Sequence, residues 1–412
     1  MVDTFSVESR LHIREFDEGR DVKVVGKLER KCEIGTKKGV SIFTNMMADP
    51  SSRIRFYPLH VMLVAELLES KELVGVVRGC IKSLRTPSES LLKIGCILGL
   101  RVSPSHSVAL NNTPPTFTHL CRRKGIGLKL VTSVEEWMLR NGAEYAFLAT
   151  EKNNDASRNL FTNKCKYVSL SSLFIFVHPI SFPAKQISKD IEIEKVNIDQ
   201  AISLYRRTLM AKELYPLDMD SILKENLSLG TWVSYYKEGG LLNLQRKEES
   251  EDIITNEITS SWIIFSIWNT CEAYKLQLKK SQPLRFLHTT LNHARDKIFP
   301  CLRMSVSDSL CRPLGFLFLY GLHGEGENLG ELMESIWRFT SRMGESLKDC
   351  TVVITELGFG DPLVNHIPQT ASMSCIDDIW YTKRISSHSD EKDDELLIKR
   401  QIGNVFVDPR DF

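Results

Sequence analysis

The chain has 412 residues, 42% hydrophobic and 25% charged, the balance of an ordinary globular protein rather than a disordered one. That length exceeds one modest core, so two or three domains are expected. With 53 basic against 52 acidic residues, a net charge of +1, no global field draws the chain to a polyanion or a membrane, and no direct nucleic-acid binding is expected.

The opening MVDTFSVESRLHIREF holds no apolar stretch of the signal-peptide kind. The most apolar run, YVSLSSLFIFVHPI, is too short and too punctuated by serine to span a bilayer. Ten cysteines are scattered without a CxxC pair, so neither a zinc site nor a redox pair is expected. Reduced thiols in a nuclear or cytoplasmic setting follow.

LHIREF (Leu11–Phe16) alternates as an edge strand does, and Asp17 is placed to cap a helix running toward Cys32. HVMLVAELLESKELVGVVRGCIKSL reads as two strands about a charged turn at Glu69–Glu72. KIGCILGLRVSP is an apolar strand in which Gly95 and Gly99 predict a bulge or a close backbone approach. From Ile126 the period changes: Leu130, Val134, Trp137 and Met138 share one helical face, and Asn141-Gly142 ends it. YAFLAT is a short buried strand, Asp155 to Lys164 a short helix, and Tyr167 to Val177 a strand again. After Pro179, residues 181–192 read as a linker.

A second unit over 193–412 opens as the first does, with IEKVNIDQAISLYRRTL as strand then helix. Glu238–Glu257 is a charged surface loop and SSWIIFSIWNT a strand. PLGFLFLYGLHGEGENLGELMESIWRFTSRMG then gives strand, glycine-rich turn and helix, and CTVVITELG the next strand. The repeated order reads as a weak internal duplication. The tail begins with the solvated charge run SSHSDEKDDELL.

The segment RRKGIG, Arg122–Gly127, joins a strand to an amphipathic helix. A pyrophosphate can sit at such a helix start when several backbone N–H groups point at it. Gly125 and Gly127 permit a sharp turn and close approach of a ligand. Arg122, Arg123 and Lys124 add positive charge at the rim. The turn lacks the third glycine of a dinucleotide fingerprint and the Gly-Lys-Ser/Thr ending of a P-loop.

With residues 107–121 set aside, the join reads LGLRVSPSHRRKGIGLKLV and resembles motif A of the GCN5-related N-acetyltransferase (GNAT) superfamily. NDASRNLF (Asn154–Phe161) is similar to that family's N-x-x-A-x-x-L-Y segment. Further similarity along GLRVSP, ATEKNNDAS, LSLGTWV, GLHGEGE and VFVDPRDF, over nearly the whole chain, resembles the plant HOOKLESS-type acetyltransferases. The resemblance implies a mixed α/β sheet with splayed central strands over 1–180, followed by a degenerate GNAT-like domain. It implies acetyl-CoA as acetyl donor and an amine acceptor, a protein lysine, with a biological role in differential growth of the apical hook and in hormone response. Carried over residue by residue, Arg122, Arg123, Lys124, Gly125, Ile126 and Gly127 would hold the pyrophosphate. Leu100, Arg101 and Val102 would offer strand backbone to the pantetheine, and Asn154 would touch the coenzyme A arm.

The family's usual tyrosine, the acid for the leaving thiolate, is Phe161 here, which has no proton to give. Tyr167 or water would substitute, with Tyr167 also readable as core. Glu151 at a strand end is the favoured base, with Glu66 and His106 as rivals, each also readable as a plain surface or loop residue. In the second unit, HGEGENLG carries Glu325 and Glu327, which would repel a pyrophosphate. These departures leave a catalytically weak or inactive regulatory protein as the alternative. Residues 107–121 interrupt the phosphate turn as retained intron, as a splice variant or as a tolerated loop; the first two predict lost registration between strand and turn.

Overall fold

The computed structural model describes residues 11–32, 40–45, 49–86, 90–108, 117–120, 124–152, 154–180, 186–238, 261–271, 273–280, 315–368, 374–387 and 395–412. The first half runs β1 (Leu11–Glu15), α1 (Glu18–Lys31), β2 (Val40–Asn45), β3 (Leu59–Leu67), β4 (Leu73–Arg85), β5 (Leu91–Val102), β6 (Ser105–Val108), β7 (Phe117–Leu120), α2 (Ile126–Arg140), β8 (Tyr145–Glu151), α3 (Asp155–Arg158) and β9 (Val168–Pro179). The second runs β10 (Ile191–Val196), α4 (Ile198–Thr208), β11 (Tyr215–Pro216), α5 (Met219–Lys224), β12 (Ser228–Tyr236), β13 (Trp262–Asn269), β14 (Lys275–Lys280), β15 (Gly315–Glu325), α6 (Leu329–Glu345), β16 (Cys350–Gly358) and β17 (Ser374–Arg384).

Local chemistry sets many of these bounds. Asp17 accepts from the Arg20 amide at 3.1 Å and starts α1. Asn197 and Gln200 close a reciprocal capping box on α4. The turn at 68–72 joins β3 and β4 into an antiparallel pair. α2 ends where Asn141 and Gly142, the latter at φ +79°, leave the helix.

The main sheet has thirteen strands, in the order β1-β3-β4-β5-β8-β17-β9-β16-β15-β13-β12-β10, with β11 on the edge of β4. This order is a palindrome of equivalent elements. β1, β3, β4, β5 and β8 on one side match β10, β12, β13, β15 and β16 on the other. Within that path only β5–β8 and β15–β16 are parallel, each joined through one long helix, α2 or α6. At the middle the final strands have changed places: β17 of the second half pairs with β8, and β9 of the first pairs with β16. The duplication read from sequence is therefore a duplication of fold, tied by strand exchange.

Apolar stripes explain the layers. Ile126, Leu130, Val131, Val134 and Met138 bury α2 on one face of β3, β4 and β5. Gly95 of β5 lies under Met138, whose sulfur a Cβ would meet at 2.3 Å. α6 buries Leu332, Met333, Ile336 and Trp337 on the corresponding strands of the second half. The opposite face of the sheet carries the largest core, which includes Cys80, Cys96, Phe147, Leu173, Ile354 and, from the C-terminal segment, Val405, Phe406 and Val407.

The insertion closes on itself. β6 and β7 pair antiparallel with Ser105 opposite Leu120 and His106 opposite His119. Its two ends are therefore held at strand spacing, and the expected loss of registration has a backbone remedy in the hairpin. Residues 109–116, and the side chain of His106, lie outside the described residues.

Candidate active site

β5 and β8 pair only from Ile94–Tyr145 to Cys96–Phe147. Beyond that point β5 continues to Val102 and β8 to Glu151 as diverging strands. The divergence has a local cause. Gly99 sits at φ +57°, and the β4–β5 register shifts between Val76 and Arg78. Arg78 fills the far side of this bulge: it is 1% exposed, pairs with Glu29 at 2.6 Å and donates to the Pro50 carbonyl at 2.7 Å. The half-buried Leu100, Arg101 and Val102 follow the bulge, so their inner edge borders the gap. Burial pushes the Arg101 guanidinium down to about 10, against the opposing charge of Glu29.

At the mouth of this gap stands the start of α2. Gly125 is its N-cap residue at φ +78° and ψ −8°, a conformation that strains any residue with a Cβ. Among the described residues no side chain caps this helix, and its first turn has no acidic residue. Its leading N–H groups are therefore left for an anion. Gly127 makes a cradle beside them, where a Cβ would meet Leu160 at 3.3 Å and Val102 at 3.6 Å. Ile126 is buried under the turn and Lys124 is exposed at its rim. Arg122 and Arg123 lie outside the described residues.

Asn154 is the N-cap of α3: it accepts from the Ser157 amide at 3.2 Å and donates to Thr150 Oγ1 at 3.2 Å. Its side chain thus ties α3 to the end of β8 at the edge of the gap. Phe161 is buried and stands edge-on to Tyr167 at 5.3 Å between ring centroids. Tyr167 packs with α2, donates its hydroxyl to Glu135 at 2.8 Å and is held well above the usual phenol range by burial and by that carboxylate. Glu66 is buried against Arg14 at 2.8 Å; burial raises its pKa, but Arg14 outweighs burial and leaves it below the usual carboxylate range. It is ion-paired on β3, with β4 between it and the β5 side of the gap.

Glu151 ends β8, half-buried, and burial raises its pKa. Two carboxyls that the sequence reading did not single out join it. Asp378 of β17 stands directly opposite Glu151 in the ladder, so both side chains share one sheet face. Glu356 of β16 is a hydrogen-bonding neighbour of Asp378 and of the Trp380 indole. Burial and the Glu151 charge push Asp378 up to about 7, and burial beside Asp378 holds Glu356 well above the usual carboxylate range. One signal was present: the Thr-Glu that ends YAFLATE recurs in CTVVITELG.

The second parallel pair is built alike and used differently. β15 and β16 pair from Gly315–Cys350 to Leu319–Thr355, then part. Val405, Phe406 and Val407 line the space beyond, together with Tyr320, Thr355, Glu356 and Leu357. The Phe406 amide donates to the Leu214 carbonyl at 2.9 Å, and the Gly360 amide to that of Gly403 at 2.9 Å. Ahead of α6, Ser261 Oγ accepts from the amides of Glu327 at 3.0 Å and Asn328 at 3.2 Å and fixes the turn, and the helix's first turn carries Glu331.

The family model for the acetyltransferase (GNAT) family matches residues 119–167, from β7 through α2 and β8 to the start of β9. The chain is 34% identical to "Probable N-acetyltransferase HLS1" of Arabidopsis thaliana, over 97% of this chain and 99% of that one. It belongs to the GNAT family of acetyltransferases. "Probable N-acetyltransferase HLS1-like" from the same plant is 32% identical over 98% of this chain and 99% of its own length. Among solved structures, Saccharomyces cerevisiae N-myristoyltransferase with bound myristoyl-CoA superposes with a TM-score of 0.54 at 10% identity. It covers 99% of this chain and 87% of that one. That likeness shows the GNAT fold across both halves.

Proposed function

We propose that this GNAT chain moves an acetyl group from acetyl-CoA to an amine, a protein lysine in our reading. The observation that carries it is the open β5–β8 gap, bordered by a helix start with an uncapped N-terminus and a glycine cradle. The binding of an acyl-CoA by the yeast fold neighbour supports the same donor class. The first half, residues 1–180, carries the donor site, and residues 193–412 form the non-binding copy.

The turn from Arg122 to Gly127 holds the pyrophosphate through backbone N–H groups, with the three basic side chains adding charge. The inner edge of Leu100–Val102 gives strand hydrogen bonds to the extended pantetheine and orients the thioester. Asn154 fixes the floor where the coenzyme arm leaves. Desolvated carboxyl at Glu151 faces the place where a protonated amine must lose a proton. With Tyr167 committed to Glu135, the departing thiolate takes its proton from water.

The Phe161 side chain and the engagement of Tyr167 favour a second reading, a GNAT-fold regulatory protein with little turnover. Transfer of labelled acetyl from acetyl-CoA to lysine peptides separates the two. Steady turnover abolished by Gly127→Leu supports the enzyme; binding without turnover supports the regulator. The role in differential growth and hormone response, and a nuclear or cytoplasmic site of action, belong to the same proposal, tested by complementing seedlings with wild type and Gly127→Leu.

A further inference from the structure

The second half supplies more to the open cleft than support. β17 belongs to the second half by sequence, yet it lies against β8, the inner wall of the gap. It thereby brings Asp378 opposite Glu151, and Glu356 of β16 reaches Asp378 across β9. All three project to the face that carries Cys96 and Leu98 of β5, away from α2. Glu356 is 7% exposed and Asp378 6%. Glu356 Oε1 is a buried oxygen with no hydrogen-bond partner among the described residues. Glu356 lines the second gap with Tyr320 and Val405, so it stands behind Asp378 as seen from the open cleft.

We propose that Asp378, brought to the first half's cleft by the exchanged strand and held by Glu356 behind it, is the general base for the acceptor amine, with Glu151 holding the ammonium at the entrance. The inference rests on the acetyl-transfer reading above. Glu356 carries a proton and donates it toward Asp378, which stays ionised. The ammonium of the acceptor gives one proton to Asp378. The freed amine nitrogen attacks the thioester carbonyl, the C–N bond forms and the C–S bond breaks. The second nitrogen proton goes through water to the departing thiolate, and Asp378 returns its proton to solvent. Amide, free thiol and one released proton balance the step.

Other charged groups bear on this pair. Asp411 from the C-terminal segment raises Glu356 and is itself paired with Lys82 of β4. Lys212 lines the same space as Glu356 but is held by Asp361 at 2.5 Å. Lys152 and Asp377 pair with each other at 3.3 Å, next to Glu151 and Asp378 along the chain. Among the described residues these partners leave no cation bonded to Asp378, which is the condition for a base that works near neutral pH.

The test is acetyl transfer to N-α-acetyl-lysine amide and to a lysine-containing peptide, from pH 5.5 to 9, with acetyl-CoA affinity measured in parallel. Wild-type kcat/KM should climb to a plateau through about pH 7, the value Asp378 is pushed to. Asp378→Asn should lower kcat/KM about 100-fold, the usual worth of a positioned base, and flatten that limb while leaving the acetyl-CoA Kd unchanged. Glu356→Leu removes the donor to Asp378 and should move the limb to higher pH, and Glu356→Gln, which keeps a donor, should move it less. That last comparison reads the pair even if Asp378→Asn does not fold. A wild-type enzyme that turns over but whose rate and pH profile survive Asp378→Asn and Glu356→Leu would overturn this inference and spare the acetyltransferase reading. Acetyl-CoA binding with no turnover of any acceptor would overturn both.

Discussion

Two parallel strand pairs, β5–β8 and β15–β16, part at matching points of one sheet, and their surroundings have diverged. Neither helix start has a side-chain cap among the described residues, but the first is free of acidic residues and lined by glycine. At the second, Ser261 holds two amides of the turn that leads into the helix, Glu325, Glu327 and Glu331 crowd the start, and the C-terminal segment lines the gap. The difference teaches that a duplicated fold need not duplicate a site. What the first copy keeps open for a ligand, the second copy fills with its own chain, gaining core in place of binding.

The most forceful way to break this comparison is to empty the second gap. Phe406 is 5% exposed and meets the Tyr320 ring edge-on at 6.4 Å. Phe406→Ala should cost about 3–5 kcal/mol of stability in a denaturant titration and leave the acetyl-CoA Kd unchanged. A large loss of affinity with stability preserved would mean the tail serves the ligand rather than the core.

The reverse experiment fills the first gap. Gly127→Leu places a side chain against Leu160 and Val102 in the cradle. Acetyl-CoA affinity should fall about 100-fold, or roughly 2.7 kcal/mol, with little change in Tm. Equal affinity for the variant and wild type would remove the cradle from the account.

The meeting of the halves should also be visible in pH. Asp378 has a folded pKa of about 7, above the ordinary carboxylate value near 3.8. The folded chain therefore holds this proton more tightly than the unfolded chain does. Its contribution to stability is complete below about pH 4 and is lost as pH rises through about 7. Asp378→Asn should lose that fall, so its Tm relative to wild type should rise by a few degrees from pH 5 to pH 8. A Tm difference that stays constant with pH would place the charge elsewhere.

A smaller effect belongs to the start of α6. Ser261→Ala removes the acceptor for two amides of the turn before α6 and should cost about 1 kcal/mol, read as a change in denaturation midpoint. No measurable cost would mean that water serves those amides equally well.

Much of this was legible in the chain. The period of Leu130, Val134 and Met138 marked α2, the Asn141-Gly142 stop marked its end, and the glycines of KIGCILGLRVSP marked the bulge that opens the gap. These are local signals, fixed by backbone sterics and by which face must be buried. The strand exchange was not legible, since β8 and β17 are far apart in sequence and their pairing is decided by the whole sheet. Asp378 and Glu356 were overlooked for the same reason, as each is an unremarkable carboxylate until β17 lands beside β8. The charge run SSHSDEKDDELL that begins the tail lies mostly outside the described residues, and Ile402 to Arg410 after it are largely buried, with Arg410 paired to Asp408 at 2.7 Å. A hydrophobic run too short to show a period, VFV, gave no sign of what it packs against.

The most direct measurement is the stoichiometry of acetyl-CoA binding by calorimetry, on the wild-type chain and on Gly127→Leu. The account predicts one site per chain, lost or weakened about 100-fold in the variant. Two sites, or one site indifferent to Gly127, would contradict it by placing the ligand in the second half.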